Sequence, residues 1–280
     1  MHHTAWLLLK DTVAGFLADH AFSRGAAIAY YTVFSIAPII VIAVAAAGLI
    51  FGEGAVRGAI ANELEDLMGR PGAEAVQSMV RGASNHANGV LATILGSLTL
   101  IAGASAVFGE LQNTLNHIWK VPPRPTMRGA LAQFLRARAA GLGLVLSTGF
   151  LLMVSLVAST TLAAVGTWAA HILPAARHVL TLADSALSFL LVALLFSAIY
   201  KVLPDRRQHW GDVALGGALT ALLFIAGKNA ITWYVGSSSF ASTYGAAGAI
   251  MVVLLWVYYS AQIFLFGAEF TRAWSARRGR

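Results

Sequence analysis

The chain has 280 residues, 58% of them apolar and only 11% charged, and its mean hydropathy is +0.72. These values exclude an ordinary water-soluble domain. Cysteine is absent, which rules out disulfides, thiolate metal sites and cysteine nucleophiles, and the net charge of +7 has to be judged by where the basic residues fall.

No long apolar run begins before Ala26. In the segment ahead of it Trp6, Leu7, Val13, Phe16, Leu17 and Phe22 recur at helical intervals among Lys10, Asp11, Asp19 and Arg24, the pattern of an amphipathic helix lying on a membrane surface. A cleaved signal peptide is not expected, because the first apolar run comes late, is long, and is followed by several of equal strength.

Six stretches with few or no charges follow: 26–51, 89–108, 139–165, 179–200, 213–235 and 246–268. Each is long enough to cross about 30 Å of hydrocarbon at about 1.5 Å per residue. Pro38 interrupts the hydrogen bonding of the first and predicts a kink. The expected fold is all-α, a polytopic membrane bundle of six transmembrane helices. Residues 1–25 form its interfacial helix, 26–272 the membrane domain and 273–280 a basic tail. An odd number of spans per half permits an inverted repeat, but no residue pattern recurs between the halves.

Orientation follows from arginine and lysine. Fourteen fall in the N-terminal segment, the second and fourth connections and the C-terminus, against four in the remaining connections, with Lys228 inside a span. The positive-inside rule then places both termini in the cytoplasm. The longest external connection, 52–88, carries more acidic than basic residues and has Leu64, Leu67, Met68, Val76, Met79 and Val80 at helical intervals, so one or two short helices on the outer face are expected. Residues 236–245 have no charge and glycine at both ends, which predicts a flexible turn or a shallow re-entrant segment.

Charges inside hydrocarbon are costly and mark candidate functional positions. Asp184 and Lys228 lie about 8 and 10 Å from the outer surface at helical rise. They are expected to face each other or a common hydrated cavity, and snorkelling to the headgroups is the competing explanation. Tyr30, Tyr31 and Ser35 precede Pro38 on a bent span, a recurrent way of exposing polar groups at depth. Together with Asp184 and Lys228 they form a candidate polar path. Glu110, Asn113, Asn116 and Glu269 form a candidate polar cluster at the cytoplasmic ends of the second and sixth spans, where an interfacial helix with a solvated polar face is the favoured explanation of the pattern. Gly96, Gly103, Gly216, Gly217, Gly227, Gly245 and Gly248 are read as close helix contacts.

No zincin, Walker, nucleophile-elbow or two-metal carboxylate signature is present, so no enzymatic activity, cofactor or metal is expected. Basic residues flank apolar runs without interleaved aromatics, which suits anionic lipid headgroups and not nucleic acid. The bundle leaves room for partners in a second copy of the chain or in envelope proteins.

Several stretches also carry a resemblance: Ala26-Ala-Ile-Ala-Tyr-Tyr-Thr-Val-Phe-Ser-Ile-Ala-Pro38, Leu111-Gln-Asn-Thr-Leu-Asn-His-Ile-Trp119, Tyr200-Lys-Val-Leu-Pro204, Tyr244-Gly-Ala-Ala-Gly248, Leu255-Trp-Val-Tyr-Tyr259 and Gly267-Ala-Glu-Phe270. In order and spacing, from about residue 23 to 272, they resemble the YihY/virulence factor BrkB family. The resemblance implies a bacterial inner-membrane, multi-pass protein of about six spans, described as a transporter or envelope factor and sometimes labelled ribonuclease BN. No residue here supports the nuclease label, and the family supplies no agreed site residues. The expected function is an inner-membrane transporter or lipid-translocating protein with an envelope role. The alternative is a non-transporting scaffold, and a membrane-associated ribonuclease is the least favoured reading.

Overall fold

The computed structural model describes residues 2–84, 106–122, 176–237 and 240–279. Among them every regular element is an α-helix: α1 (His2–Ala18), α2 (Ala21–Phe51), α3 (Glu53–Ser84), α4 (106–118), α5 (Ala176–Val202), α6 (Trp210–Ser237) and α7 (Phe240–Arg277). Three segments are long and apolar enough to cross a membrane, Ser185–Val202, Trp210–Ile231 and Ile250–Arg277. A fourth is α2, if its two limbs count as one span. Nearly all of the predicted second span and all of the third, 89–108 and 139–165, lie outside the described residues, as do Gly96 and Gly103.

The limbs of α2, Ala21–Ala37 and Ile39–Ala45, meet at 45°. The bend falls at Pro38, which cannot donate to the carbonyl one turn back and whose ring displaces it. Gly52, at φ 84, then reverses the chain, and α3 returns antiparallel along α2. Val56 packs with Val44, and further along Met68 and Val76 join Ala29 and Val33 of α2 and Val253 and Val257 of α7 in one cluster. The described part of the 52–88 connection, Glu53–Ser84, is therefore two helical pieces divided at Gly69 (φ 75) just before Pro71. Its buried stripe packs along α2 and α7. A helical apolar stripe fits a membrane surface and a neighbouring helix equally well, and only the tertiary partner decides. The stretch 236–245 also differs from expectation: α6 continues to Ser237 and α7 begins at Phe240, which makes most of it helical.

Helix α7 is the hub, in contact with α1, α2, α3 and α6, while α5 packs on α6. Small residues let these backbones approach. A Cβ added at Gly216 would stand 1.7 Å from Thr271 Oγ1, one at Gly217 2.1 Å from Ser197 Oγ, and one at Gly227 1.9 Å from the Tyr259 hydroxyl. The hydroxyls at these contacts bond within their own helices: Ser197 to the Ala193 carbonyl at 2.6 Å, Thr220 to Gly216 at 2.7 Å and Thr271 to Gly267 at 2.7 Å. Ser197 and Thr271 are thus satisfied within their own helices, and the surfaces that face them mate by shape.

Helix α1 buries Leu8, Thr12 and Phe16 and leaves Trp6, Leu9, Val13 and Leu17 exposed. The helix expected over residues 1–25 ends at Ala18, with α2 already under way from Ala21, and it carries two apolar stripes, one on α7 and one turned outward.

Candidate functional site

Four segments far apart in sequence share one end of the bundle: the α1–α2 link, the end of α4, the α5–α6 link and the end of α7. Their meeting is built from the stretches that carried the family resemblance. Leu115 and Ile118 of α4 and Trp119 just after it pack with Tyr200, Leu203, Phe264, Leu265 and Ala268 in the largest buried cluster among the described residues, which Phe16 and Ile28 also join. The Tyr200 hydroxyl donates to the Phe264 carbonyl at 2.6 Å and shares a hydrogen bond with Thr220 Oγ1 at 2.9 Å, which ties α5, α6 and α7 at one atom. Trp119 meets the Tyr200 ring edge-on at 6.1 Å.

Against this apolar floor sits a group of charges. Glu269 is fully buried and Asp19 nearly so. The Lys120 ammonium donates to Asp19 Oδ1, His117 Nε2 stands 3.6 Å from the same oxygen, and Arg24 Nε donates to the Asp19 carbonyl at 3.0 Å. Arg272 holds Glu269 Oε2 through Nε at 2.9 Å and Nη2 at 2.8 Å. Gly15 makes room for this pair, since a Cβ there would fall 2.2 Å from Arg272 Nη2 and 2.6 Å from Glu269 Oε2. His20 and Lys120 are the non-glycine residues with positive φ among those described, at 55° and 52°. Both flank the Asp19 contact, where the chain must turn sharply to bring α1 and α4 together.

Burial pushes the Asp19 carboxyl up, but the hydrogen bonds with Lys120 and Glu269 and the Lys120 and His117 charges outweigh it, leaving the group below its ordinary value. His117 is also held low, by burial first and then by Arg24 and Lys120, with Asp19 opposing. Beside this group, Asn116 bonds Asp205 twice, Nδ2 to Oδ2 at 2.9 Å and Oδ1 from the backbone N–H at 2.8 Å. Asp212 is fully buried at the start of α6, 3.7 Å from Arg278. Asp11 of α1 receives Arg277 Nη2 at 2.6 Å, so the first and last helices are joined directly.

The expected cytoplasmic cluster is assembled in part. Asn116 and Glu269 are buried at this end, Glu110 is half-buried and 3.5 Å from Thr114 Oγ1, and Asn113 is exposed. The sequence pattern did not single out Asp19, Lys120, Asp205 or Tyr200. Their partners are remote in the chain or lie across a helix contact, and no local spacing encodes such a meeting.

The expected polar path is dispersed. Tyr30 and Tyr31 are 58% and 39% exposed, and the Tyr30 ring stacks on Phe34 at 4.9 Å, while Ser35 is buried. Position 38 marks the α2 bend. Lys228 is half-buried on α6, and α2 and α6 share no extensive contact among the described residues. Asp184 lies in α5, but its side chain is outside what is described, so its facing of Lys228 is too. Among the described residues no group of three or more histidine or acidic side chains is placed to hold a metal.

Comparison with known proteins agrees with a membrane bundle. The chain is 31% identical over 206 residues to a UPF0761 membrane protein of Alcanivorax borkumensis, covering 71% of this chain and 43% of the relative. It is 28% identical to one from Alkalilimnicola ehrlichii, covering 92% and 56%, and 27% identical to one from Haemophilus influenzae, covering 87% and 86%. It thus spans about half the length of several curated relatives it matches. No solved structure matches it. The family model described as Virulence factor BrkB matches residues 12–280, and the chain belongs to that family of membrane proteins.

Proposed function

We propose that this protein is a bacterial inner-membrane transporter or lipid-translocating protein with a role in the envelope, with both termini in the cytoplasm. The observation that carries the reading is the placement of fully buried carboxylates, above all Glu269, at one end of an otherwise apolar bundle. Buried charge is expensive, and replacing the Glu269 and Arg272 pair by apolar groups would give a packed bundle at no greater cost. Its retention where α1, α4 and α7 meet fits an element that binds or moves something polar.

The orientation is supported by the gathering of Lys120, Arg206, Arg277 and Arg278 at the end that holds both termini, as the positive-inside rule requires of a cytoplasmic face. These cations would also meet anionic lipid headgroups.

The test is reconstitution into liposomes carrying fluorescent lipid in both leaflets, followed by a membrane-impermeant quencher. Quenching well beyond the outer-leaflet share, with sealed vesicles and a clear reduction in Glu269→Gln, is the expected result. A plateau equal to that of protein-free vesicles, from protein shown to be folded, would remove lipid translocation and favour the scaffold.

A further inference from the structure

Helix α3 packs along α2 and α7 although its composition is that of a surface helix. It carries five acidic and three basic residues, from Glu53 to Arg81, and all eight are exposed. The opposite stripe, Val56, Met68 and Val76, is fully buried against α2 and α7. The helix is therefore amphipathic at right angles to the bundle, with one face on the spans and one face away from them.

Its depth follows from its register. Residues of α3 pack beside α2 from Val44, near the Gly52 turn, back to Ala29. At about 1.5 Å per residue the stretch from Ala29 to Gly52 is about 34 Å long, bend included, against about 30 Å of hydrocarbon. The partners on α7, Val253 and Val257, fall within the apolar segment Ile250–Arg277. The charged face of α3 thus stands at the same depth as residues that lie within candidate spans.

Lipid cannot border that face. Two ion pairs, Arg57 with Glu53 at 3.7 Å and Arg70 with Glu74 at 2.9 Å, offset part of the charge but remain open to their surroundings. The break at Gly69, followed by Pro71, adds an independent sign: it interrupts the helical hydrogen bonding midway, and at membrane depth freed backbone groups persist where protein or water satisfies them.

We infer that the charged face of α3 lines a water-filled furrow that enters the bundle alongside α2 and reaches hydrocarbon depth. With carboxylates and guanidiniums interspersed along it, a polar group of either sign can pass without leaving water. The furrow stands on the packing of α3 and not on the carboxylates at the other site, so it holds whether the cargo is a lipid headgroup or a solute.

The absence of cysteine makes the test direct. Single cysteines at Glu65 and Glu74 are labelled with a small thiol-reactive fluorophore in the reconstituted full chain. Quenching is then measured with aqueous iodide and, separately, with lipids spin-labelled at mid-chain. Glu65→Cys and Glu74→Cys are expected to be quenched by both, which marks water at depth. Leu190→Cys, exposed on α5, should respond to the lipid quencher alone, and Gly54→Cys, in open space beside the turn, to iodide alone. Quenching of both α3 positions by iodide alone would place the helix outside the hydrocarbon. Quenching by lipid alone, or by neither, would place the face in lipid or in protein. Each of these three results overturns the furrow. Two sites on an exposed face guard against a single misfolded variant, and a failed lipid-translocation assay leaves this result untouched.

Discussion

Gly267 is where the close approach of α6 and α7 can be tested most sharply. An alanine Cβ there would stand 1.8 Å from Thr220 Oγ1 and 2.6 Å from the Tyr200 hydroxyl. Real Cβ contacts do not fall below 3.0 Å, so the two helices must part locally to admit it. That movement stretches the 2.6 Å bond from the Tyr200 hydroxyl to the Phe264 carbonyl on α7. Overpacking costs about 1–3 kcal/mol, and loss of a buried neutral hydrogen bond about 1 kcal/mol more. Gly267→Ala should therefore lose about 2–4 kcal/mol even though alanine is the better helix former. Because the nearest obstacle is one oxygen, Gly267→Ala with Thr220→Ala should recover about half of the loss, a coupling typical of residues in contact. Gly58→Ala, on α3 with nothing within 4 Å, is the control and should be neutral or stabilising. Denaturant titration and thermal unfolding of the chain in one fixed detergent provide the comparison. A Gly267→Ala protein that unfolds with the wild type, or a double variant no better than the single, would refute the described contact.

Two further outcomes follow from the terminal cluster. Asn116→Leu should lose about 2–3 kcal/mol by removing both bonds to Asp205, and Asp205→Ala added to it should cost little more, as a double-mutant cycle on thermal unfolding would show. Acidification should loosen the docking of α1. His117 is held below its ordinary 6.5, so stability begins to fall as the unfolded imidazole takes up its proton near that pH, while the Asp19 contribution, from a carboxyl also held low, is lost only further into acid. Unfolding temperature followed against pH should show both steps, the first missing in His117→Gln and the second in Asp19→Asn, and profiles that neither substitution changes would refute the assignment.

What the sequence made legible and what it did not divide along physical lines. The bend at Pro38 is a covalent property of one residue and was readable without a partner. The tight contacts at Gly216, Gly217 and Gly227 were readable as a class, because a missing side chain on an apolar helix has few other uses, but not who fills the space. The stretches Leu111 to Trp119, Tyr200 to Pro204 and Gly267 to Phe270 were recognised separately, and the structure gives the reason they belong together: they form one buried junction. The return of α3 into the bundle was hidden, since its stripe has the same period on either surface. Asp19 was passed over as part of a solvated face, because its ammonium partner lies 101 residues away.

The joining of α1 to α7 sets an order on biogenesis. The surface that Leu8, Thr12 and Phe16 cover belongs to α7, which leaves the ribosome long after α1. At about 5–20 residues per second, the roughly 250 residues between them take roughly 13–50 s to make. During it α1 lacks the surface it will cover, and both of its apolar stripes, the one it will bury and the exposed one from Trp6 to Leu17, stay uncovered by α7. Docking of α1 then waits for α7, and a ribosome stalled before α7 should leave α1 undocked and open to proteolysis.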